Sequence, residues 1–488
     1  MKIVLFALNG SYSHTCLAVR CLRAPLLQAG FDVVVVEKNL KDRRDEVLQA
    51  LYAERADAYS FSCYIWNLPQ MLDLAADVKG LLPSAKVVLG GPEASFGLER
   101  FELLDFVDHV VVGEGEEALP DLCRALEGNE TMPRVMRSKF LHDIVGDGIL
   151  YDAKELRGGE ILYYESSRGC PYRCAYCLSS ASGALRAKSI EETVEDLRAF
   201  ESLEGRHIIK FVDRTFNFDA ARANRIWEAL LDEGFHHTYH FEICASLLNE
   251  ESYEILSRFP KGKIQLEIGL QSTNPDTLRA VSRHISPSSV IAATEQIHNM
   301  GNIHVHLDLI AGLPYETYDR FRTSFNEAYY CSDMLQLGFL KLLHGTELRR
   351  RAEEYGYVFT SAPPYTVLAS RWMSRDELYR LGRISDLLDR YYSSGSFSDC
   401  LAIAVGAASS PFAFYEGLLD YIDKQDGRSV RKLSQTDAFR LLFGYVATYL
   451  DDEQLSSFEQ AMHADFSARE ARKLPYSVVE NVKKQRQN

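Results

Sequence analysis

The sequence predicts an α/β protein in three parts. A doubly wound α/β domain is expected over residues 1–135, a partial (β/α)6 barrel over 161–345 and a mostly helical domain over 346–488, with a linker at 136–160. Three observations lead to this reading. Short apolar runs alternate with amphipathic stretches along the first 135 residues, the alternation resumes from about residue 160 to 345, and helical periodicity takes over beyond about 346.

In the first domain the strand-like runs are Lys2 to Leu8, Val33 to Glu37, Ala58 to Ser62, Val87 to Leu89 and His109 to Val112. Helical stretches such as Ala18 to Ala29 and Leu68 to Leu81 separate them. A doubly wound alternation places any ligand at the carboxyl edge of its sheet. That edge is marked by Ser60-Phe61-Ser62-Cys63, Gly90-Gly91-Pro92-Glu93-Ala94 and Gly113-Glu114-Gly115-Glu116. Glycine pairs let a backbone approach a bulky ligand closely, but they also make ordinary turns. In the linker, Gly146, Gly148, Gly158 and Gly159 break the periodicity.

The barrel strands are Ile161 to Glu165, Ile208 to Val212, His240 to Cys244, Ile264 to Ile268, His304 to Ile310 and Leu335 to Leu342. Parallel strands present their ligands at their carboxyl ends, so polar residues there carry a functional reading first. Glu242, Glu267 and Asp308 interrupt apolar runs at or near such ends. An acid in an apolar strand costs several kilocalories per mole unless it meets a cation or donors, an order-of-magnitude figure, and for Glu267 an internal ion pair is as good a reading as a ligand contact. Asp213 and Arg214 sit at another strand end, either as a salt bridge or as ligand contacts.

Beyond the barrel, helical segments run from Arg375 to Tyr392, Ser409 to Lys424, Ser434 to Leu450 and Glu453 to His463, with a basic tail ending at Asn488. Lys341 to Thr346 closes the last strand. Pro363-Pro364-Tyr365 with Arg371-Trp372 could line a substrate entrance, although packing of the helical region is the default for such aromatics.

The most informative stretch is Ser166-Ser167-Arg168-Gly169-Cys170-Pro171-Tyr172-Arg173-Cys174-Ala175-Tyr176-Cys177. Cys170, Cys174 and Cys177 stand on a loop directly after a strand. Three thiolates can hold three irons of a four-iron cluster and leave the last iron open to an exogenous molecule. A zinc site would bring a second ligand pair, and none follows at the usual spacing. A disulfide framework belongs to small chains in oxidising compartments.

This loop, with an aromatic residue just before its last cysteine, resembles that of the radical S-adenosylmethionine (SAM) superfamily. The resemblance implies a [4Fe-4S] cluster on Cys170, Cys174 and Cys177, with SAM on the open iron. The run from Glu267 to Arg283 is similar to a strand and helix of the oxygen-independent coproporphyrinogen oxidase branch. That similarity implies Glu242 on the SAM amino group, Arg283 on its carboxylate, Gln271 and Asp308 on the ribose, Gly312 beside the adenine and Tyr176 in the same pocket. An arginine fork suits a carboxylate, and an acid suits an ammonium or paired hydroxyls. One departure stands out: where many relatives carry a Gly-Gly-Glu-type stretch, this chain has Asp213-Arg214-Thr215.

Leu89-Gly90-Gly91-Pro92-Glu93 and Val112-Gly113-Glu114-Gly115-Glu116, preceding such a barrel, resemble the cobalamin-binding domain of the B12-binding radical SAM class. The resemblance implies cobalamin held by Ser60, Ser62, Gly90, Gly91, Pro92, Glu93, Gly113 and Glu114. The Asp-x-His-x-x-Gly motif that gives cobalt a histidine in other B12 proteins is absent. The nearest candidate is His14, a lone loop histidine of a kind that is more often an ordinary polar residue than a ligand.

The function implied is a cobalamin-dependent radical SAM enzyme that methylates an unactivated carbon of a small molecule or peptide, fed by a one-electron reductant such as flavodoxin or ferredoxin. A rearrangement or cyclisation on the same machinery, and a cobalamin-binding sensor with a structural cluster, are the other readings. Composition agrees with a multi-domain enzyme: of 488 residues 46% are hydrophobic, enough for cores of about three domains. No apolar run reaches membrane-spanning length, so no membrane partner is expected. The net charge of -15 argues against a nucleic-acid substrate. No signal peptide precedes the first strand, so a cytoplasmic location is expected. Seven further cysteines, Cys16, Cys21, Cys63, Cys123, Cys244, Cys331 and Cys400, lack ligand spacing. Most read as core residues, with Cys244 and Cys331 open to a reactive role.

Overall fold

The structure is a computed structural model describing residues 1–101, 103–138, 144, 151–152, 156, 159–181, 183–425, 427, 429–469 and 478–480. Gly146, Gly148 and Gly158 of the expected linker, and most of the basic tail, lie outside the described residues. The chain forms two compact units. The first comprises Met1–Leu266, Lys341–Glu354 and Phe359–Thr366, and the second Glu267–Leu340, Tyr355–Val358 and Val367–Asn488.

The first unit opens with a parallel sheet of β1 (Lys2–Asn9), β2 (Asp32–Asn39), β3 (Ala58–Ser62), β4 (Lys86–Gly90), β5 (His109–Val112) and β6 (Val135–Arg137). Their order is β2-β1-β3-β4-β5-β6. The interior of β1 is buried along its whole length, as a parallel strand covered on both faces must be. Val4, Phe6 and Leu8 pack with Val47, Leu51, Met71 and Leu74 of two helices on one face. Ile3, Leu5 and Ala7 pack with Val19, Leu26, Leu119 and Leu122 of two helices on the other. This is the doubly wound arrangement expected. The strand order reverses beside β1, so the crevice lies at the carboxyl ends of β1 and β3. The sequence reading missed β6, which is three residues long and only half-buried.

The same unit continues with β7 (Ile161–Tyr164), a short antiparallel hairpin of β8 (Ser167–Arg168) and β9 (Arg186–Ala187), then β10 (Ile208–Phe211) and β11 (Thr238–Ile243). Strands β7, β10 and β11 pair in parallel, with Ile208 opposite both Ile161 and Thr238. Helices fill the crossovers: Ile190–Glu201 begins with a Ser189/Glu192 capping box, and Ala220–Asp232 is capped by Asp219.

The chain passes into the second unit within β12 (Ile264–Gln271) and continues with β13 (His304–Ala311) and β14 (Met334–Phe339). Strand β13 pairs in parallel with β14, placing Asp308 opposite Gln336. Burial alternates residue by residue along β12 and β13, so Glu267, Gln271 and Asp308 share the face opposite the apolar core. The helical region follows: Arg375–Leu387 with a π turn Leu388–Tyr392, then Ser398–Gly406, Pro411–Gln425, Gln435–Val446 and Asp452–Arg469. Helix Ser398–Gly406 was not expected from the sequence. Among the described residues no single helix is long and apolar enough to cross a membrane.

Candidate active site

The hairpin β8–β9 delivers the three cysteines. Gly169, at φ +97°, makes the turn into the loop; a Cβ there would lie 2.9 Å from the Ala184 carbonyl oxygen. The Cys177 amide donates to the Cys174 carbonyl at 3.0 Å, folding the last two cysteines into one turn, and the Leu348 amide donates to Ala175 at 2.9 Å. All three thiols are free of disulfides, Cys174 buried and Cys170 and Cys177 half-buried. The Cys170 sulfur lies 3.6 Å from the Thr215 hydroxyl, after β10. Three soft donors on one loop, with no fourth cysteine supplied by it, fit a four-iron cluster with one open position.

Charged struts hold this loop against the first domain. Arg168 pairs with Glu116 at 2.7 Å, Glu165 at 2.7 Å and Glu114 at 3.5 Å. Arg186 also binds Glu114, at 3.0 Å through its second nitrogen. The carboxyl edge of the first sheet shows a similar division. Glu93 is 2% exposed and engaged by Arg100 at 2.8 Å and by the Tyr365 hydroxyl at 2.7 Å. Glu93 and Glu114 are thus committed to side chains of the fold, and Tyr365 is fully buried. Tyr365 packs; it does not line an entrance.

What the edge leaves for a ligand is backbone, hydroxyls and rings. Ser62 closes β3, with Ser60 buried in the middle of the strand, and Gly90 closes β4 with nothing within 4 Å of an added Cβ. Gly91, at φ +95°, sits so close to Cys63 that a Cβ would lie 2.7 Å from its carbonyl oxygen. Pro92 starts the next short helix, and the Gly113 amide donates to Ser95 at 3.0 Å. A cavity of 360 Å³ opens past the carboxyl end of β1, lined by Asn9, Gly10, His14, Tyr64, Trp66 and Tyr163 among others, and its lining includes none of the eight residues expected to hold cobalamin. Tyr64 and Trp66 stack at 4.4 Å. The Nδ1 of His14 is 2.5 Å from the Tyr163 hydroxyl, and burial holds its pKa below the ordinary histidine value. Sequence reasoning passed over Tyr64, Trp66 and Tyr163; the first two directly follow the Ser60-Phe61-Ser62-Cys63 stretch. A glycine-lined edge with hydroxyls and an apolar, aromatic cavity suits a bulky, largely uncharged group such as cobalamin.

Of the residues expected around SAM, the first unit holds Tyr176, half-buried on the cysteine loop, and Glu242, on β11. Arg214 stands 3.8 Å from Glu242. Asp213 is fully buried; it accepts from the Ser166 amide at 2.8 Å and from the Ser166 and Ser167 hydroxyls at 2.6 Å. It shapes the loop. The second unit holds Gln271, Arg283, Asp308 and Gly312. Gln271 ends β12 at φ +71° with its side-chain oxygen buried and lacking a hydrogen-bond partner among the described residues. Such an orphan is a group waiting for a ligand. The Arg283 guanidinium donates to the Gly269 carbonyl. Gly312, at φ +90°, follows β13 and accepts from the Tyr357 hydroxyl at 3.0 Å.

Cys331 is buried, and desolvation raises its thiol to about 12, which removes it as a reactive group. Cys244 is buried beside the Tyr172 hydroxyl at 3.5 Å, its backbone clamped by Asn217 at 2.9 Å on both sides. Glu201, His236 and His237 also converge. The ring of His237 is spent on the backbone, Nε2 on Phe200 at 2.9 Å and Nδ1 on the His207 amide at 3.2 Å.

Three family models match the chain: the B12 binding domain over residues 4–123, the radical SAM superfamily over 164–328, and a protein of unknown function (DUF4080) over 353–488. Among curated proteins, the chain is 27% identical over 321 residues to a hopanoid C-3 methylase of Methylococcus capsulatus, covering 60% of each chain. It is 26% identical over 298 residues to the cobalamin-dependent radical SAM methyltransferase TokK of Streptomyces tokunonensis, covering 54% of this chain and 44% of that one. The chain thus spans less than two thirds of these relatives. Among solved structures, OxsB with aqua-cobalamin and SAM bound aligns with a TM-score of 0.64 at 14% identity, covering 99% of this chain and 83% of OxsB. TsrM from Kitasatospora setae, with cobalamin and a [4Fe-4S] cluster bound, aligns at 0.63 and 14% identity, covering 88% of this chain and 99% of TsrM. At such identities the likeness is one of fold. The radical SAM domain implies a [4Fe-4S] cluster and SAM, and the B12-binding domain implies cobalamin. The chain therefore joins a B12-binding domain, a radical SAM domain and a DUF4080 region in that order.

Proposed function

We propose that this protein is a cobalamin-dependent radical SAM methyltransferase that methylates an unactivated carbon of a small molecule or peptide. The observation that carries this reading is the first unit itself, which bolts a three-cysteine loop directly to the glycine-lined edge of a B12-type sheet. Relatives similar to this chain over 321 and 298 residues are named as a methylase and a methyltransferase. When bound, the cluster and SAM supply a 5'-deoxyadenosyl radical and cobalamin supplies the methyl group.

In this reading Cys170, Cys174 and Cys177 ligate the cluster. Tyr176, Glu242, Gln271, Arg283, Asp308 and Gly312 orient SAM, the buried Gln271 oxygen accepting from a ribose hydroxyl. Ser60, Ser62, Gly90, Gly91, Pro92 and Gly113 admit cobalamin, while Glu93 and Glu114 brace the loops around it. The protein's contribution is to hold the groups in register and exclude water, so that proximity outruns quenching. The electron comes from an external carrier such as flavodoxin or ferredoxin.

The test is anaerobic turnover of reconstituted enzyme with methyl-deuterated SAM and candidate substrates. A product carrying the deuterated methyl group, formed alongside 5'-deoxyadenosine, is expected. Release of 5'-deoxyadenosine with an altered but unmethylated product would instead establish rearrangement or cyclisation. Cobalamin binding without any SAM cleavage would establish a sensor.

A further inference from the structure

Tyr365 packs, but of its companions in the sequence Arg371 is exposed and Trp372 half-buried. The Ser370 hydroxyl accepts from the Trp372 and Met373 amides, both at 3.2 Å, which fixes the turn that carries them. The Arg371 amide donates to the Tyr355 carbonyl at 3.3 Å, and its stem runs beside Gly356, where a Cβ would lie 3.0 Å from the arginine Cγ. Among the described residues the Arg371 guanidinium has neither a hydrogen bond nor an ion pair. The Trp372 ring meets Tyr355 at 5.7 Å and Tyr315 at 4.6 Å. Tyr315 stands shortly after β13 at φ +61° and is 46% exposed. That left-handed position favours glycine, so a tyrosine there is strained. The turn is nevertheless well held: the Glu316 amide donates to the Leu313 carbonyl at 3.3 Å, Asn274 to the Tyr315 carbonyl at 2.9 Å and Thr277 to the Pro314 carbonyl at 2.8 Å. Strain retained under an exposed ring, beyond the carboxyl end of a parallel strand where such folds bind their ligands, marks a binding group.

Two neighbouring rings offer a surface on which a planar ring stacks, and an unpaired guanidinium beside them complements an acid. Resting on the reading of the chain as a methyltransferase with a small-molecule substrate, we infer that Tyr315, Trp372 and Arg371 form its substrate-recognition surface and that the substrate is a planar aromatic molecule carrying a carboxylate. Tyr355 and Gly356 support the tryptophan and the arginine. Arg371 and Trp372 fall within the DUF4080 region, residues 353–488, so that region takes part in choosing the substrate.

The chain has three tryptophans, so the full-length protein labelled with fluorotryptophan gives a fluorine resonance for each, and the one lost in W372F belongs to Trp372. Titration with naphthoate should shift that resonance, with a dissociation constant on the order of 1 mM for so small a ligand, and leave that of the fully buried Trp227 in place. Naphthamide, which lacks the charge, and cyclohexanecarboxylate, which lacks the flat ring, should each bind about tenfold more weakly. R371A should lose the preference for the acid over the amide, and R371K should regain part of it. Y315G should bind naphthoate about tenfold more weakly yet melt within about 3 °C of wild type, because glycine suits the left-handed turn. A Trp372 resonance that naphthoate leaves in place, equal binding of acid and amide by wild type, or an R371A protein that keeps the preference overturns the assignment. The shift is read without SAM, cluster or reductant, so its failure leaves the methyl-transfer reading standing. An intact shift in a protein that transfers no methyl group overturns the substrate role alone.

Discussion

Two neighbouring glycines separate a folding role from a binding role. Gly91 adopts φ +95°, and a Cβ would meet the Cys63 carbonyl oxygen at 2.7 Å and the Cys63 nitrogen at 3.1 Å. Both contacts are with backbone and cannot swing aside. G91A should therefore cost about 1–3 kcal/mol in chemical denaturation, the range for a strained residue. At Gly90 an added Cβ finds nothing within 4 Å. G90A should fold with wild-type stability to within about 0.5 kcal/mol yet retain less cobalamin, read from the visible spectrum after desalting. Equal cobalamin retention by G90A and wild type would remove this edge from the cobalamin site. At this scale the cysteines and glycines were legible because their chemistry is local. Glu93 was not: its partner Tyr365 lies 272 residues away, and no spacing rule reaches that far. Asp213 and Arg214 could be told apart only once Ser166 and Ser167 were seen around the first of them.

Among elements, the hairpin β8–β9 decides how firmly the cysteine loop is held, and its hold is electrostatic. Arg168 and Arg186 face Glu114, Glu116 and Glu165, all between 7% and 17% exposed. Glu165 shows the cost: desolvation lifts its pKa above the ordinary glutamate value although Arg168 opposes the shift. Removing one member of a buried set strands its partners, at about 3–5 kcal/mol for a full break. R168A should approach that loss, and E116Q, which keeps the shape and a hydrogen bond, should lose less. Iron release to a chelator should be faster in R168A than in wild type. Unchanged release would show that the loop is held by its own turns instead. The long strands were readable from apolar runs, because a parallel sheet covered on both faces writes them plainly. Strands β8 and β9, at two residues each, are too short to show a period. Helix Ser398–Gly406 hid for the opposite reason: Leu401, Ala402, Ile403, Ala404 and Val405 are consecutive apolar residues without a polar face.

For the molecule as a whole, the DUF4080 region is part of the structure that carries the last barrel strands. The end of β12 from Glu267 onward, strands β13 and β14 and helix Tyr318–Ala328 share the second compact unit with the carboxyl-terminal helices. The joint is specific. The Tyr318 hydroxyl donates to Glu416 at 2.7 Å, and Arg322 and Arg380 reach the same carboxylate at 3.3 and 3.4 Å. Around it Phe325 packs edge-on to Phe412 at 5.1 Å, the Tyr329 and Tyr415 hydroxyls are 2.9 Å apart, and the Phe412 amide donates to Asn326 at 2.9 Å. Phe325, Tyr329, Phe412 and Tyr415 are at most 3% exposed, and each buried aromatic of this size contributes about 1.5–3 kcal/mol by leaving water. A chain ending at residue 366 would expose Phe325 and Tyr329 together and lose several such contributions, comparable to the whole stability of an ordinary domain. That truncation should be insoluble or bind a hydrophobic dye strongly, with the barrel's last strands unprotected in hydrogen exchange. E416A tests the same joint gently. It leaves a tyrosine and two arginines without their shared acceptor and should lower stability by about 1–3 kcal/mol, while cobalamin retention, which belongs to the first unit, stays at wild-type level. A soluble truncation with protected strands would make the helical region a separable module, and its role would then have to be sought outside the barrel.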